Sequence, residues 1–333
     1  METILEAKNL TKRFPVEIGI FGTRSGSNIH AVDNVNFRVQ KGETFGIVGE
    51  SGCGKTTVAK LILRLLTPTK GTILYYGGEN LDPKVSQEAM RREIQLVFQD
   101  PYSSLNPRMT VYDIIGEAFD IHRLAKGPAK KQKILDLMET VGLAPFHLYR
   151  YPHEFSGGQR QRIVIARALA VQPKVLIMDE PVSALDVSVR AQILNLLEEL
   201  QKKFDLTYIF ISHDLSVVRH VCNRVAVMYL GQVVEIGDID SLFDNPQHPY
   251  AVALIAAVPI PDPRARKERE ILTGEVPTPI DPPAYCRFAK RCKYAKVICR
   301  EEEPPLLEIN PNHWVACFYP TELRGTGKTP FKK

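Results

Sequence analysis

No stretch of the sequence reaches the roughly eighteen consecutive apolar residues that mark a bilayer-spanning helix. The start, Met1-Glu2-Thr3-Ile4-Leu5-Glu6, also lacks the basic region and apolar segment of an export signal. A cytosolic chain that reaches any membrane through a partner is therefore expected. Charge of one sign is not in great excess, with 43 Lys and Arg against 38 Asp and Glu, so the net +5 does not by itself argue for a nucleic-acid partner. Cysteine is scarce and its pattern is unusual. Of six, four fall in the last fifth of the chain as Cys286-x5-Cys292-x6-Cys299-x17-Cys317, with no C-x-x-C pair. That spacing excludes a usual zinc ribbon and a bacterial-ferredoxin run. In a reducing compartment the clustering favours a metal site over disulfides. From spacing alone, four-thiolate zinc and iron–sulfur stand level, with free or disulfide-linked cysteines a lesser third. No acidic residue lies between 286 and 300, where Arg287, Lys290, Arg291, Lys293, Lys296 and Arg300 are found. That surrounding suits an anionic thiolate centre of either kind. Cys53 and Cys222 read as packing residues.

What is present in strength is Gly49-Glu50-Ser51-Gly52-Cys53-Gly54-Lys55-Thr56, a G-x-x-x-x-G-K-[ST] phosphate loop. It lies between the apolar run Thr44-Phe45-Gly46-Ile47-Val48 and the apolar-periodic stretch Val58 to Leu66. Backbone N–H groups of such a loop turn inward on phosphate oxygens, and the helix N-terminus behind adds partial positive charge. Lys55 then reaches the β and γ phosphates, and the Thr56 hydroxyl holds Mg²⁺. A glycine-rich turn can be only a tight connection, but the strand before and the helix after this one favour nucleotide binding. Gly325-Thr326-Gly327-Lys328-Thr329 is no second copy: position 322 is Glu where the first glycine belongs, so a solvated tail is expected.

Along the rest of the chain, residues 3–10 and 35–39 alternate as half-buried strands do, with Gly19 to Asn28 as a long connection between them. Phe14 in this β region is either a core aromatic or a platform for a purine. Residues 71–76 and 93–98 read as strands, the second leading to Gln99, where a polar side chain lies near the ligand crevice of an α/β sheet. From 110 to 140 the periodicity is helical, broken at Gly127-Pro128, which predicts an inserted helical subdomain. Phe155-Ser156-Gly157-Gly158-Gln159 opens another helix with a good cap and two glycines, a second anion site at a helix start. Val175 to Met178 is a buried parallel strand ending in Asp179 and Glu180, suited to Mg²⁺-bound water and to the attacking water respectively. Residues 206–211 repeat the pattern and end in Ser212-His213-Asp214.

These motifs, with Ser183-Ala184-Leu185-Asp186, resemble in order and spacing the Walker A, Q-loop, signature, Walker B, D-loop and switch-histidine motifs of ABC transporter ATPase subunits. The signature opens with Phe155 where Leu is usual, and the aromatic expected on adenine is Phe14 where Tyr is common. His30-Ala31-Val32-Asp33 and His248-Pro249-Tyr250, running to Ala257-Val258-Pro259, are similar to the oligopeptide and dipeptide importer branch, whose members carry a C-terminal four-cysteine extension. The resemblance implies an α/β P-loop NTPase over 1–257, with a RecA-like core, an N-terminal antiparallel β region and a helical subdomain at about 101–170. A proline-rich linker over 258–285 and a cysteine-rich extension over 286–333 would follow. It implies ATP held by Gly49, Glu50, Ser51, Gly52, Cys53, Gly54, Lys55, Thr56, Thr57 and the Phe14 ring. Ser156, Gly157, Gly158 and Gln159 would reach the ATP of a second subunit in a head-to-tail dimer. Mg²⁺ would lie with Thr56, Gln99 and Asp179, Glu180 would act as base, and His213 would sense the γ-phosphate. A [4Fe–4S] cluster on Cys286, Cys292, Cys299 and Cys317 is likewise implied by the resemblance. So are the partners: an identical or related ATPase subunit, membrane permease subunits, indirectly a substrate-binding protein, and no nucleic acid. The expected place is the cytoplasmic face of the membrane. A soluble ABC ATPase acting on nucleic acid is the competing reading, disfavoured because only one cassette is present.

Overall fold

The computed structural model describes residues 2–18, 23–76, 87–258 and 277–321. In chain order the elements are β1 (Thr3–Ile18), β2 (Thr23–Gln40), β3 (Thr44–Val48), α1 (Lys55–Ile62), β4 (Lys70–Tyr75), α2 (Gln87–Glu93) and β5 (Ile94–Val97). Then come α3 (Pro101–Ser104), α4 (Val111–Ile121), α5 (Gly127–Thr140), α6 (Gly157–Leu169), β6 (Val175–Asp179), α7 (Val187–Phe204) and β7 (Thr207–Ser212). The last are α8 (Leu215–Val221), β8 (Arg224–Tyr229), β9 (Gln232–Asp238), α9 (Ile239–Asp244), α10 (Pro249–Ala256), β10 (Leu307–Asn310) and β11 (His313–Val315). The chain divides into two compact units, one of residues 1–4, 40–44 and 75–211, the other of 5–39, 45–74 and 212–333.

In the first unit β5, β6 and β7 pair in parallel. Every residue of β6 and β7 is buried, which explains why both read as unbroken apolar runs and not as alternating ones. The helical stretch is folded by its termini. Thr110 and Asp113 form a capping box that starts α4. Gly127-Pro128, read from sequence as a break, is the first turn of α5, where a proline lacks nothing a helix start would use. The helices α4, α5 and α6 pack on one another, and Ile114, Ile115, Ile134, Met138, Ile163 and Val164 are buried on them.

In the second unit β2, β1 and β4 form a three-stranded sheet in that order. Separately, β3 and β8 pair in parallel, and β9, β11 and β10 continue from β8 antiparallel. The long connection expected at Gly19 to Asn28 is largely strand: Thr23 to Asn28 belong to β2, while 19–22 lie outside the described residues. Pairing with β1 overrides the weak strand preference of a Ser/Gly/Asn-rich stretch. Of the proline-rich segment, 259–276 lie outside the described residues, as does the Gly325 to Thr329 tail. Residues 277–283 run along the start of β2, with the His30 N–H on the Pro279 carbonyl (2.9 Å) and the Asp281 N–H on that of Asn28 (2.9 Å).

Candidate active site

The phosphate loop leaves the fully buried β3 and enters α1 at Gly54, which adopts a left-handed conformation (φ 109°). A Cβ at Gly54 would run into the Ala31 carbonyl oxygen, so only glycine fits. No side chain caps α1, and its first N–H groups remain for a ligand. Lys55 is 6% exposed, and its ammonium donates to the carbonyls of Gly49 (2.8 Å) and Glu50 (3.1 Å). Ser51, Gly52 and Thr56 are exposed and Thr57 is half-buried. Cys53 is buried, which pushes its thiol pKa up and keeps it an inert packing group, as its sequence context predicted. Phe14 is half-buried, with the Lys12 ammonium 5.0 Å from its ring centroid. His213 is exposed, between β7 and the Asp214 that caps α8.

In the first unit β6 delivers a buried Asp179, and the chain then turns sharply at Glu180 (φ 50°). That turn is held by the Glu180 N–H on the Ile211 carbonyl (2.9 Å) and by the Ser183 N–H (3.2 Å) and hydroxyl (3.0 Å) on the Glu180 carbonyl. Gln99, exposed after β5, donates from Nε2 to Glu180 Oε2 at 2.8 Å. Two motifs 81 positions apart thus meet at one carboxylate. Ser156 caps α6 by accepting the Gln159 N–H (3.3 Å), while the Gln159 side chain returns the bond to the Ser156 N–H (3.1 Å). Gly158 is buried against α7, where a Cβ would strike Val189 Cγ1. The second glycine of the pair therefore serves packing, and Ser156 and Gly157 are the accessible members. Asp186 caps α7; the hydrogen bond from the Val189 N–H holds its carboxyl below the usual range.

Sequence reasoning did not single out three side chains tied to these motifs. Arg160 stacks its guanidinium 3.9 Å over Tyr102 and donates to the Pro152 carbonyl (2.6 Å). Tyr250, fully buried in α10, accepts the Glu50 N–H through its hydroxyl (3.0 Å). Arg291 donates from both Nη atoms to the Glu50 carboxylate at 2.9 and 3.2 Å. His248-Pro249-Tyr250 was visible only as a family marker, and Arg291 only as one charge in a basic run.

Residues 32–183 match the ABC transporter family, and 234–299 match the oligopeptide/dipeptide transporter C-terminal region. The oligopeptide transport ATP-binding protein AppF of Bacillus subtilis is 52% identical over 95% of this chain and 97% of its own. The chain belongs to the oligopeptide/dipeptide ABC transporter ATPases. A second of these transporter ATPases, the dipeptide transport ATP-binding protein DppF of Haemophilus influenzae, is 48% identical over 95% of this chain and 96% of its own. Among solved structures, the cbiO1 component of an ABC transporter complex of Clostridium perfringens aligns with TM-score 0.60 and 29% identity, covering 73% of this chain and 92% of its own. A dimeric ATP-binding cassette in a post-hydrolysis state with ADP and phosphate aligns with TM-score 0.60 and 28% identity, covering 71% and 99%. The α/β P-loop fold and ATPase class expected from the motifs are thereby established for this transporter ATPase. No helix among its described residues is long and apolar enough to cross a membrane.

The transporter ATPase also brings its four late cysteines to one cavity, lined by Cys286, Cys292, Cys299 and Cys317 together with His248, Phe288, Tyr294, Phe318 and Tyr319. None of the four is joined in a disulfide, and burial pushes the Cys286 thiol up to about 12. Among the described residues no three His, Cys, Asp or Glu side chains converge on a single metal ion. The [4Fe–4S] expectation is therefore not shown: the four cysteines line one cavity, but among the described residues no metal-binding group is formed.

Proposed function

We propose that this chain is the ATP-hydrolysing motor of a dipeptide or oligopeptide importer, peripheral to the cytoplasmic face of the membrane and working as one half of a head-to-tail ATPase dimer. Lys55 and the N–H groups of residues 52–56 hold the ATP phosphates, the ammonium exchanging the Gly49 and Glu50 carbonyls for phosphate oxygens. Thr56 and Asp179 offer the hard oxygen donors that Mg²⁺ prefers, and Mg²⁺ supplies charge neutralisation at the phosphates. Phe14 stacks on the adenine. The Glu180 carboxylate takes a proton from the attacking water while the water oxygen bonds to the γ-phosphorus and ADP departs with the bridging oxygen's electron pair. Gln99, by donating to one carboxylate oxygen, fixes the direction of the carboxylate. His213 reads the γ-phosphate. Ser156 and Gly157 close on the ATP of the partner subunit, which releases them after hydrolysis and passes the movement to the permease subunits.

The observation that carries this reading is the Glu180–Gln99 pair at the end of β6, a carboxylate aimed by an amide and set on a constrained backbone. Glu180→Gln is expected to bind ATP with near-native affinity and hydrolyse it at least about a hundredfold more slowly. Hydrolysis near the native rate in that variant removes Glu180 from the role of base.

The cysteine cavity is assigned to a [4Fe–4S] cluster held by Cys286, Cys292, Cys299 and Cys317. Soft thiol donors suit either zinc or iron–sulfur. A mononuclear site draws its thiolates to about 2.3 Å from one atom. The four cysteines line one common cavity, which brings together thiol donors of the type a cluster takes. A cluster would supply a covalent cross-link among the four thiolates and a one-electron couple. Anaerobic purification with iron and sulfide analysis tests this. About four irons and four sulfides per chain are expected; a single zinc and no visible absorbance overturn it.

A further inference from the structure

Glu50 is held at every polar group it has. Its carbonyl accepts from Lys55 at 3.1 Å, its N–H donates to the Tyr250 hydroxyl at 3.0 Å, and its carboxylate takes both Nη atoms of Arg291 at 2.9 and 3.2 Å. The Arg291 side chain is 6% exposed and that of Glu50 23%, so this fork is shielded from solvent far more than a surface pair. Arg291 does not hang from a loose arm. Its guanidinium lies 5.8 Å from the Tyr229 ring centroid. Tyr229, Tyr250 and Phe288 form a ring cluster with centroids 4.6 to 5.5 Å apart. Arg287, four residues earlier, donates to the Leu230 carbonyl and to Asp33. Phe288 belongs both to that ring cluster and to the wall of the cysteine cavity.

We propose that Arg291 is a positioning residue for the phosphate loop, fixing Glu50 so that folding of the cysteine-bearing segment and ATP affinity are coupled. The inference rests on the reading that this loop binds ATP. The fork sets the carboxylate, Tyr250 sets the N–H, and together they place the carbonyls that hold the Lys55 ammonium between two oxygens. A loop set in advance loses less freedom on taking up phosphate. Because coupling is reciprocal, bound ATP must in turn stabilise the segment around residues 286–300.

The test uses the full chain, with Mg-ATP affinity by fluorescent-analogue displacement, KM and kcat for hydrolysis, and hydrogen–deuterium exchange. Arg291→Met, which keeps the stem and loses the fork, should weaken ATP binding by about fivefold while kcat at saturating ATP stays within about twofold. Glu50→Gln should weaken ATP binding by a similar factor, and the double variant should bind no worse than either single one, because both remove one interaction. Arg291→Lys should recover part of the loss, keeping charge without the fork. In the native chain ATP should slow exchange over 286–300, and in Arg291→Met it should not. Should Arg291→Met fail to fold, Glu50→Gln and Arg291→Lys carry the same comparison. Native ATP affinity in the single variants, additive losses in the double, or unchanged exchange on ATP binding each overturn the proposal. Failure of the native chain to bind ATP, or undiminished binding in Lys55→Ala, would instead overturn the reading on which it rests.

Discussion

Glu180 keeps a left-handed backbone conformation that costs a non-glycine residue about 1 kcal/mol or more, and its neighbours hold it there through three hydrogen bonds. Strain and chemistry at this position are separable. Glu180→Gly removes the side chain that Gln99 aims and relaxes the backbone, so the melting temperature should hold or rise while hydrolysis falls at least about a hundredfold. Calorimetry and a phosphate-release assay on one preparation check both. The sequence made Gly49 to Thr56, Asp179 and Glu180 legible because each sits in a local pattern whose chemistry requires it. Tyr250 and Arg291 were illegible for the opposite reason. They act on Glu50 from 200 and 241 positions away, and nothing in their own surroundings records that distance.

At the level of elements, α6 shows how a helix start can serve two ends at once. Ser156 satisfies an N–H group of the first turn while its side chain stays exposed. Aspartate caps as well as serine and complements the helix dipole, but it brings a negative charge to a place proposed to meet the partner's γ-phosphate. Ser156→Asp should therefore melt within about 0.5 kcal/mol of the native chain. ATP turnover should nevertheless be largely lost; native turnover would remove the phosphate contact. Helix and strand types followed from periodicity wherever one face is buried. The extent of β2 did not, because its first residues are polar and become a strand only by pairing.

Across the whole molecule, the C-terminal residues are built into the second unit through a buried acid. Glu235 on β9 is wholly buried and accepts the N–H groups of Gln247 (2.8 Å) and His248 (2.7 Å), and its carboxylate meets His313 Nε2 of β11 at 2.7 Å. Glu235→Ala strips three groups of their partner together and should cost about 3–5 kcal/mol, read as a lowered denaturation midpoint. A loss under about 1 kcal/mol would mean that solvent reaches the site and that the network matters little.

The bond between Glu50 and Arg291 also orders events in time. During synthesis the arginine proposed to fix the phosphate loop emerges 241 positions after Glu50. Elements that fold from the N-terminus forward would be in place before that fork can close. Maturation of the loop thus waits on synthesis of residue 291, and a chain released before that point carries every nucleotide motif without the residue proposed to set Glu50.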